Sequence, residues 1–556
     1  MRKAVVLMAI LSQSLGMIHA DNYAETRGIG QYPGRLSQFT APKMVKDYTY
    51  RNIALNRMVY TSSNADFNLT GHLVTDGIIT SKAPSFLSVK TNEGELSNRD
   101  KEKMIDGNTV TSQYIKGENA FVEFNWEAMK VNLKKLEFTG ELAFYKDKAS
   151  QGYTIRVMGS HNGKKWEVLG EEKGSDLPGV ATKQQVSSDP NKFQDVVKLP
   201  LRKLNVSIPL KKPGSYEHVR IELIMPGAAW WRIKLIDNST SWRPSMHFAS
   251  VWKSDLTKKT DAKIQWLYVD LGTEADFDQV NLFWINKARN GKIQVSNDAK
   301  NWSDIATLGQ QKQKGLIEKI ACKGHGRYVR LLLTEPDASG RFALSEMQVM
   351  GKGGLRAETA NTITSTNGKQ MLNQWQLRRE GSDTWIQATV PGTVLTSYIN
   401  IGAVPDNRYD DNMRQISESF FNSDFWYRTT IEYKPSANKQ QHTYLNFDGI
   451  NWKANILLNG EKIGRIDGAF IRSRIDITKK LKPGANKLEV HVIKNAHFGV
   501  VKQKNLQNTD LNGGELGADN PTFHASIGWD WITNTPGREI GIWNDVYLTH
   551  DNGVSV

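Results

Sequence analysis

At 556 residues, with 39% hydrophobic and 23% charged side chains, the chain is too long for a single hydrophobic core, and three or four domains are expected. Beyond the N-terminus no apolar run approaches the roughly 18 residues that a spanning helix needs. The formal charge of +14 comes from lysines interspersed with acids, as in KDKASQ and NRDKEK, with no basic tract carrying interleaved aromatics; this excludes nucleic acid as a partner and suits anionic glycans or an anionic envelope.

In chain order, residues 1–20 have the layout of an export signal. Arg2 and Lys3 precede an apolar run, Ala4 to Ile10, and Ala20 offers a cleavage point before Asp21. An N-terminal anchor is the alternative, but Ser12, Gln13 and Ser14 break the apolar stretch. The protein is therefore expected to be exported: periplasmic, cell-surface or extracellular. Residues 21–47, polar and rich in Gly, Pro and Tyr, read as an N-terminal arm. Cys322 is the sole cysteine, which excludes an intramolecular disulfide.

Two segments then share one order of elements. The first runs FVEFNW, VNLKKLEFTG, YTIRVMGSHNGKKWEVLG, VRIEL and WWRIKLID; the second runs LYVDLG, FDQVNLFWI, GKIQVSNDAKNWSDIATLG, YVRLLL and FALSEMQVMG. Each run alternates polar and apolar residues, as half-buried antiparallel strands do. Ile155 and Val157 should face inward in the first copy, and Ile293 and Val295 in the second. Trp166 and Trp302, each after a small polar turn, are expected to anchor the two cores.

With NIALNRMVYTSSN at Asn52 and LVTDG at Leu73, this pattern resembles the discoidin family (factor 5/8 type C), which includes sugar-binding modules. The resemblance implies a discoidin-like sandwich over 48–238, with an insertion between Gly77 and Phe121, and a second over 239–352. It also implies a structural calcium at a DGN-type turn, so Asp76, Asp106, Asn108 and Thr109 are candidate ligands, with Glu346 at the matching acidic place in the second copy. No other cofactor is required. Asp-Gly is also a strong dipeptide for a plain β-turn, which is the alternative.

Residues 353–368, within a Gly-, Thr- and Asn-rich stretch, suit an exposed linker. Over 369–550, strand-like runs are punctuated by Asn459-Gly460, Pro483-Gly484 and Pro536-Gly537. The blocks LNFDGINWKANILLNGEKIG and SIGWDWITNTPGREIGIWNDVYL resemble the N-terminal sugar-binding domain of glycoside hydrolase family 2, in its β-mannosidase and exo-glucosaminidase branches. That resemblance implies a β-linked glycan as ligand. It places Trp529 and Asp530 at the edge of a sugar pocket, Trp531 as its wall or as core, and Asn407, Asp410 and Asp411 near the same mouth. Packing against a neighbouring barrel is the other reading of these residues.

Retaining glycosidases need two carboxyls on one site, and in this family both stand on a (β/α)₈ barrel of about 250 residues. No strand–helix alternation occurs in the sequence, and residues 551–556 leave only a stub. No HExxH, GxSxG or phosphate-binding Gly-Lys loop occurs either. The expected fold class is all-β: three consecutive β-sandwiches, jelly-roll and galactose-binding-like. Two functional readings follow: a non-catalytic N-terminal region of a family 2 glycosidase whose barrel is missing or separately encoded, or a stand-alone glycan-binding or adhesion protein.

Overall fold

The computed structural model describes residues 42–81, 85–97, 100–108, 110–145, 152–174, 180–181, 200–236, 239–244, 249–255, 264–309, 315–337, 339–358, 365, 368–494, 537 and 539–552. The fold is all-β, in antiparallel sheets, with two short α-helices among the described residues of the last sandwich. The chain divides into two compact units, one of residues 83–247 and one of the rest.

Residues 83–247 form a sandwich of a six-stranded and a five-stranded sheet. The alternation seen in the sequence is obeyed. In the strand Tyr153–Ser160, Ile155 and Val157 are buried while Thr154 and Arg156 are partly exposed. The strands Val131–Phe144 and Pro200–Tyr216 pair along nearly their whole length and put Leu136, Phe138, Val206 and Ile208 into the same core. Phe124, Trp126 and Trp242 add an aromatic knot, with ring centroids 5.4 to 5.8 Å apart.

In the other unit, one eight-stranded sheet surrounds a core that includes Val269, Leu282, Ile293, Leu331 and Val349. Its long strand Gln265–Asn286 pairs with Ile317–Glu335 and with Ala343–Lys352, and shifts register between Asp270 and Ala275. Such irregularities bend a strand so that it serves two layers.

Strand pairing corrects the expected division at 48–238 and 239–352. Arg51–Asn52 pairs with Ala343–Lys352, Val59–Thr61 with Gln265–Asn286, and Met44–Asp47 with Gly354–Ala357. The opening motif at Asn52 thus completes the sandwich of residues 249–357, and the sandwich of residues 83–247 interrupts it in sequence. The sandwiches are nested rather than consecutive. Pairing in a sheet is non-local, so alternation along the sequence gives each strand's faces but not its partner.

The last sandwich joins a four-stranded sheet to a six-stranded one. Asn459 and Gly460, at φ 53° and 84°, close the hairpin between Lys453–Leu458 and Glu461–Asp467, as the sequence predicts. The helix Val394–Asn400 begins at Thr393, whose side chain accepts from Thr396 N, and Glu418–Phe421 begins at Ser417, which accepts from Phe420 N. Within the same unit, Ser417 Oγ donates to Asn68 O at 2.8 Å and Ser417 N donates to His72 Nε2 at 3.0 Å. Arg57 Nη2 donates to Ile401 O at 2.8 Å.

Candidate cation and carbohydrate sites

Asp76 follows the turn Gly71–Val74 and comes to lie beside the strand Ala343–Lys352. It is 7% exposed, and Glu346 is 0% exposed. Gly77 N donates to Glu346 Oε2 at 3.3 Å and Ile78 N to Asp76 Oδ1 at 2.8 Å. Gly77 has φ 79°, and a Cβ there would meet Leu55 Cδ1 at 3.0 Å, so the turn favours glycine twice over. Ser250 Oγ lies 2.5 Å from Asp76 Oδ2 and 2.9 Å from Leu73 O. A hydroxyl carries one proton, so a protonated Asp76 satisfies both contacts by donating to Ser250.

Burial pushes the Asp76 carboxyl up to about 7, against the pull of the Ser250 and Ile78 hydrogen bonds and of Arg379. Burial, then the Asp76 charge, raises Glu346 well above the usual carboxylate range. Glu346 Oε1 is buried without a hydrogen-bond partner. Two facing carboxyls, one with an orphan oxygen, are a donor set for a hard cation. Among the described residues no three His, Cys, Asp or Glu side chains cluster, so the other ligands of such an ion would be backbone oxygens or water.

The second predicted turn is built differently. Asp106 Oδ1 accepts from Asn108 N at 2.8 Å, both Asp106 oxygens accept from Thr111 Oγ1, and Asn108 Oδ1 accepts from Val110 N at 2.9 Å. This is a self-capped surface turn, the plain reading of Asp-Gly. Thr109 lies outside the described residues. Asp76 belongs to one unit and Asp106 to the other.

Of the predicted sugar ligands, Trp529, Asp530 and Trp531 lie outside the described residues. Asn407, Asp410 and Asp411 sit on the loop before the turn Asn412–Gln415, where Asp410 and Asp411 are exposed and Asn407 is half-buried. Beside them Arg408 chelates Asp406, and Tyr409 is 61% exposed. The loop offers an aromatic ring and carboxylates together, as sugar recognition requires.

The expectation that Trp166 and Trp302 anchor the cores fails. Both are half-buried on outer sheet faces, and each is topped by an arginine: Arg220 at 4.6 Å and Arg330 at 4.0 Å from the ring centroid. The cores use Trp231 and Trp252 instead. Around Trp302 lies a continuous aromatic face that the reading of single strands missed. Tyr60 stacks on Tyr268 at 5.0 Å, Trp266 stacks on Tyr268 at 5.5 Å, and Tyr328 meets Tyr268 edge-on at 5.8 Å. Tyr60 is 36% exposed, and the face is edged by Asp270–Arg327 and Gln294–Arg330 pairs. The cross-strand register Tyr60–Tyr268–Arg330 assembles it, and a signal existed in the outward positions of VYT, QWLYVD and RYVR.

Residues 375–544 match the glycosyl hydrolase 2 galactose-binding domain-like family, and residues 234–331 match the NedA-like, galactose-binding domain family. Over 177 residues the chain is 37% identical to mannosylglycoprotein endo-beta-mannosidase of Lilium longiflorum, an alignment covering 31% of this chain and 18% of that protein. Over 229 residues it is 26% identical to exo-beta-D-glucosaminidase of Amycolatopsis orientalis, covering 40% of this chain and 20% of that protein. The beta-D-mannosidase structure from Dictyoglomus thermophilum aligns at 27% identity and TM-score 0.27, covering 33% of this chain and 22% of that one. The chain spans about a fifth of the length of the two curated relatives named here. It carries a galactose-binding-like sandwich of the glycosyl hydrolase 2 type and resembles carbohydrate-active enzymes there.

Proposed function

We propose that this chain is the glycan-binding, non-hydrolysing N-terminal region of an exported retaining β-glycosidase of the mannosidase or glucosaminidase type. The observation that carries this reading is the match of residues 375–544 to the glycosyl hydrolase 2 galactose-binding-like family, together with 37% identity to an endo-beta-mannosidase over 177 residues. The described residues form antiparallel sandwiches, which hold no ring of parallel strands on which a pair of catalytic carboxyls would stand. In this reading the sandwich faces a catalytic (β/α)₈ barrel of the kind that bears the carboxyl pair of retaining glycosidases. Its mouth is edged by Trp529, Asp530 and Trp531, with Asn407, Asp410 and Asp411 nearby. Asp76 and Glu346, once ionised, would hold a calcium ion, which would neutralise the two buried carboxylates.

Affinity electrophoresis in gels containing β-mannan or chitosan tests the binding half of the proposal. Retardation by at least one of these β-linked glycans is expected, reduced by Asp530→Ala with the melting temperature nearly unchanged. Equal mobility in every gel would contradict glycan binding. A large fall in melting temperature for Asp530→Ala would make that residue structural.

A further inference from the structure

A cavity of about 290 Å³ opens where the nested sandwich meets the start of the last one. Its walls include Arg51, Arg57, Arg356, Gln376, Gln387 and Trp385. Arg57 is 6% exposed, and beyond its single bond to Ile401 O its Nε is buried with no hydrogen-bond partner. Among the described residues no carboxylate pairs with it. The charge of Asp270 acts on it, but that carboxylate is engaged bidentately by Arg327 at 2.8 Å through both oxygens. Arg51 and Arg356 share one carboxylate, Asp47, at 3.2 and 3.7 Å. The cavity is lined by three arginines and by no acid among the residues of its wall.

Burial and the charge of Arg51 lower the Arg57 guanidinium to about 10, although it stays cationic at neutral pH. A buried cation with an unmade hydrogen bond is costly unless a ligand completes it. Guanidinium groups are suited to planar oxyanions. Trp385 adds a flat wall whose indole is held by Arg428 at 3.9 Å from its centroid, and Gln376 in turn accepts from Arg428 Nε at 2.8 Å. Flat ring, amides and cations are the complement of a sugar ring that carries an acid. The volume lies at the low end of ligand pockets, about 300 Å³, which suits one sugar residue.

We propose that this cavity binds a single acidic saccharide unit, with its oxyanion on Arg57 and Arg356 and its ring against Trp385. The oxyanion can be a uronate carboxylate or a sulfate ester. Isothermal titration of the full chain with glucuronate, glucose 6-sulfate, glucose and inorganic sulfate tests this. At least one acidic sugar should bind about tenfold or more tightly than both glucose and inorganic sulfate. Whichever acidic sugar binds more tightly identifies the source of the oxyanion. Arg57→Gln should weaken that binding about tenfold. Because Arg57 is buried, Arg356→Gln provides a second variant: its side chain is 59% exposed, so binding should weaken without a change in melting temperature. No binding of either acidic sugar at about 10 mM would overturn the proposal. Glucose or inorganic sulfate binding as well as the acidic sugars would overturn it too, as would unchanged affinity in Arg356→Gln.

Discussion

His72 accepts from Ser417 N through Nε2 and meets Phe420 edge-on at 5.6 Å, and it is buried at 5% exposure. Burial lowers its imidazole to about 3, so the folded protein keeps it neutral while the unfolded chain titrates near 6.5. Below pH 6.5 the unfolded chain therefore binds a proton that the folded one refuses. This residue's contribution is full above 6.5 and falls by about 1.4 kcal/mol per pH unit on the way to pH 3. Over the same range the raised Asp76 and Glu346 carboxyls act the other way, because the folded protein takes up their protons first, so His72→Gln should shift the slope of the urea midpoint between pH 7.5 and 5 toward greater stability at low pH. A slope unchanged by the substitution would remove His72 as a cause of it. At Asp76 and Glu346, calcium added to EDTA-treated protein should raise the melting temperature by several degrees, with Glu346→Gln abolishing the rise; identical melting in EDTA and calcium would argue against a cation there. The sequence marked Asp76 and Glu346 through a resemblance, but it gave no sign of their burial or of the orphan oxygen. It also marked Asp106, whose oxygens are taken by its own loop.

Among the strands, alternation revealed which side chains point inward, as Ile155, Val157 and Ile293 show. It did not separate a core tryptophan from one lying flat outside, because Trp302 follows a turn and its environment comes from Arg330 on another strand. The hairpin at Asn459-Gly460 was fully legible, since two positive φ values demand that dipeptide. A Cβ at Gly460 meets no atom within 4 Å, so Gly460→Ala should cost only its backbone preference, about 1–2 kcal/mol. Gly449 differs: a Cβ there would stand 2.5 Å from Trp543 Cε2. Gly449→Ala should cost about 1–3 kcal/mol through displaced packing and should shift the fluorescence of that indole, whereas Gly460→Ala should leave the spectrum alone. Equal spectra for the two variants would contradict the close contact.

At the scale of the whole chain, the nesting follows from strand partners that lie far apart in sequence. The motif at Asn52 pairs with Ala343–Lys352 across the sandwich of residues 83–247. Replacing 83–247 with a short Gly-Ser linker should leave the remaining unit folded, with its far-ultraviolet signature and a cooperative melt retained. Loss of folding would show that the inserted unit is an essential part of the core. The likeness to a glycosidase region was legible because its turn and tryptophan blocks survive in sequence, while the aromatic face around Tyr268 arises only when three strands come into register. The central claim is that these sandwiches bind β-linked sugar without cleaving it. The direct measurement is release of nitrophenol from nitrophenyl β-mannoside, β-galactoside and β-glucosaminide by the purified chain. No turnover above the buffer rate is expected; turnover that disappears when one acid of this chain is replaced would contradict it.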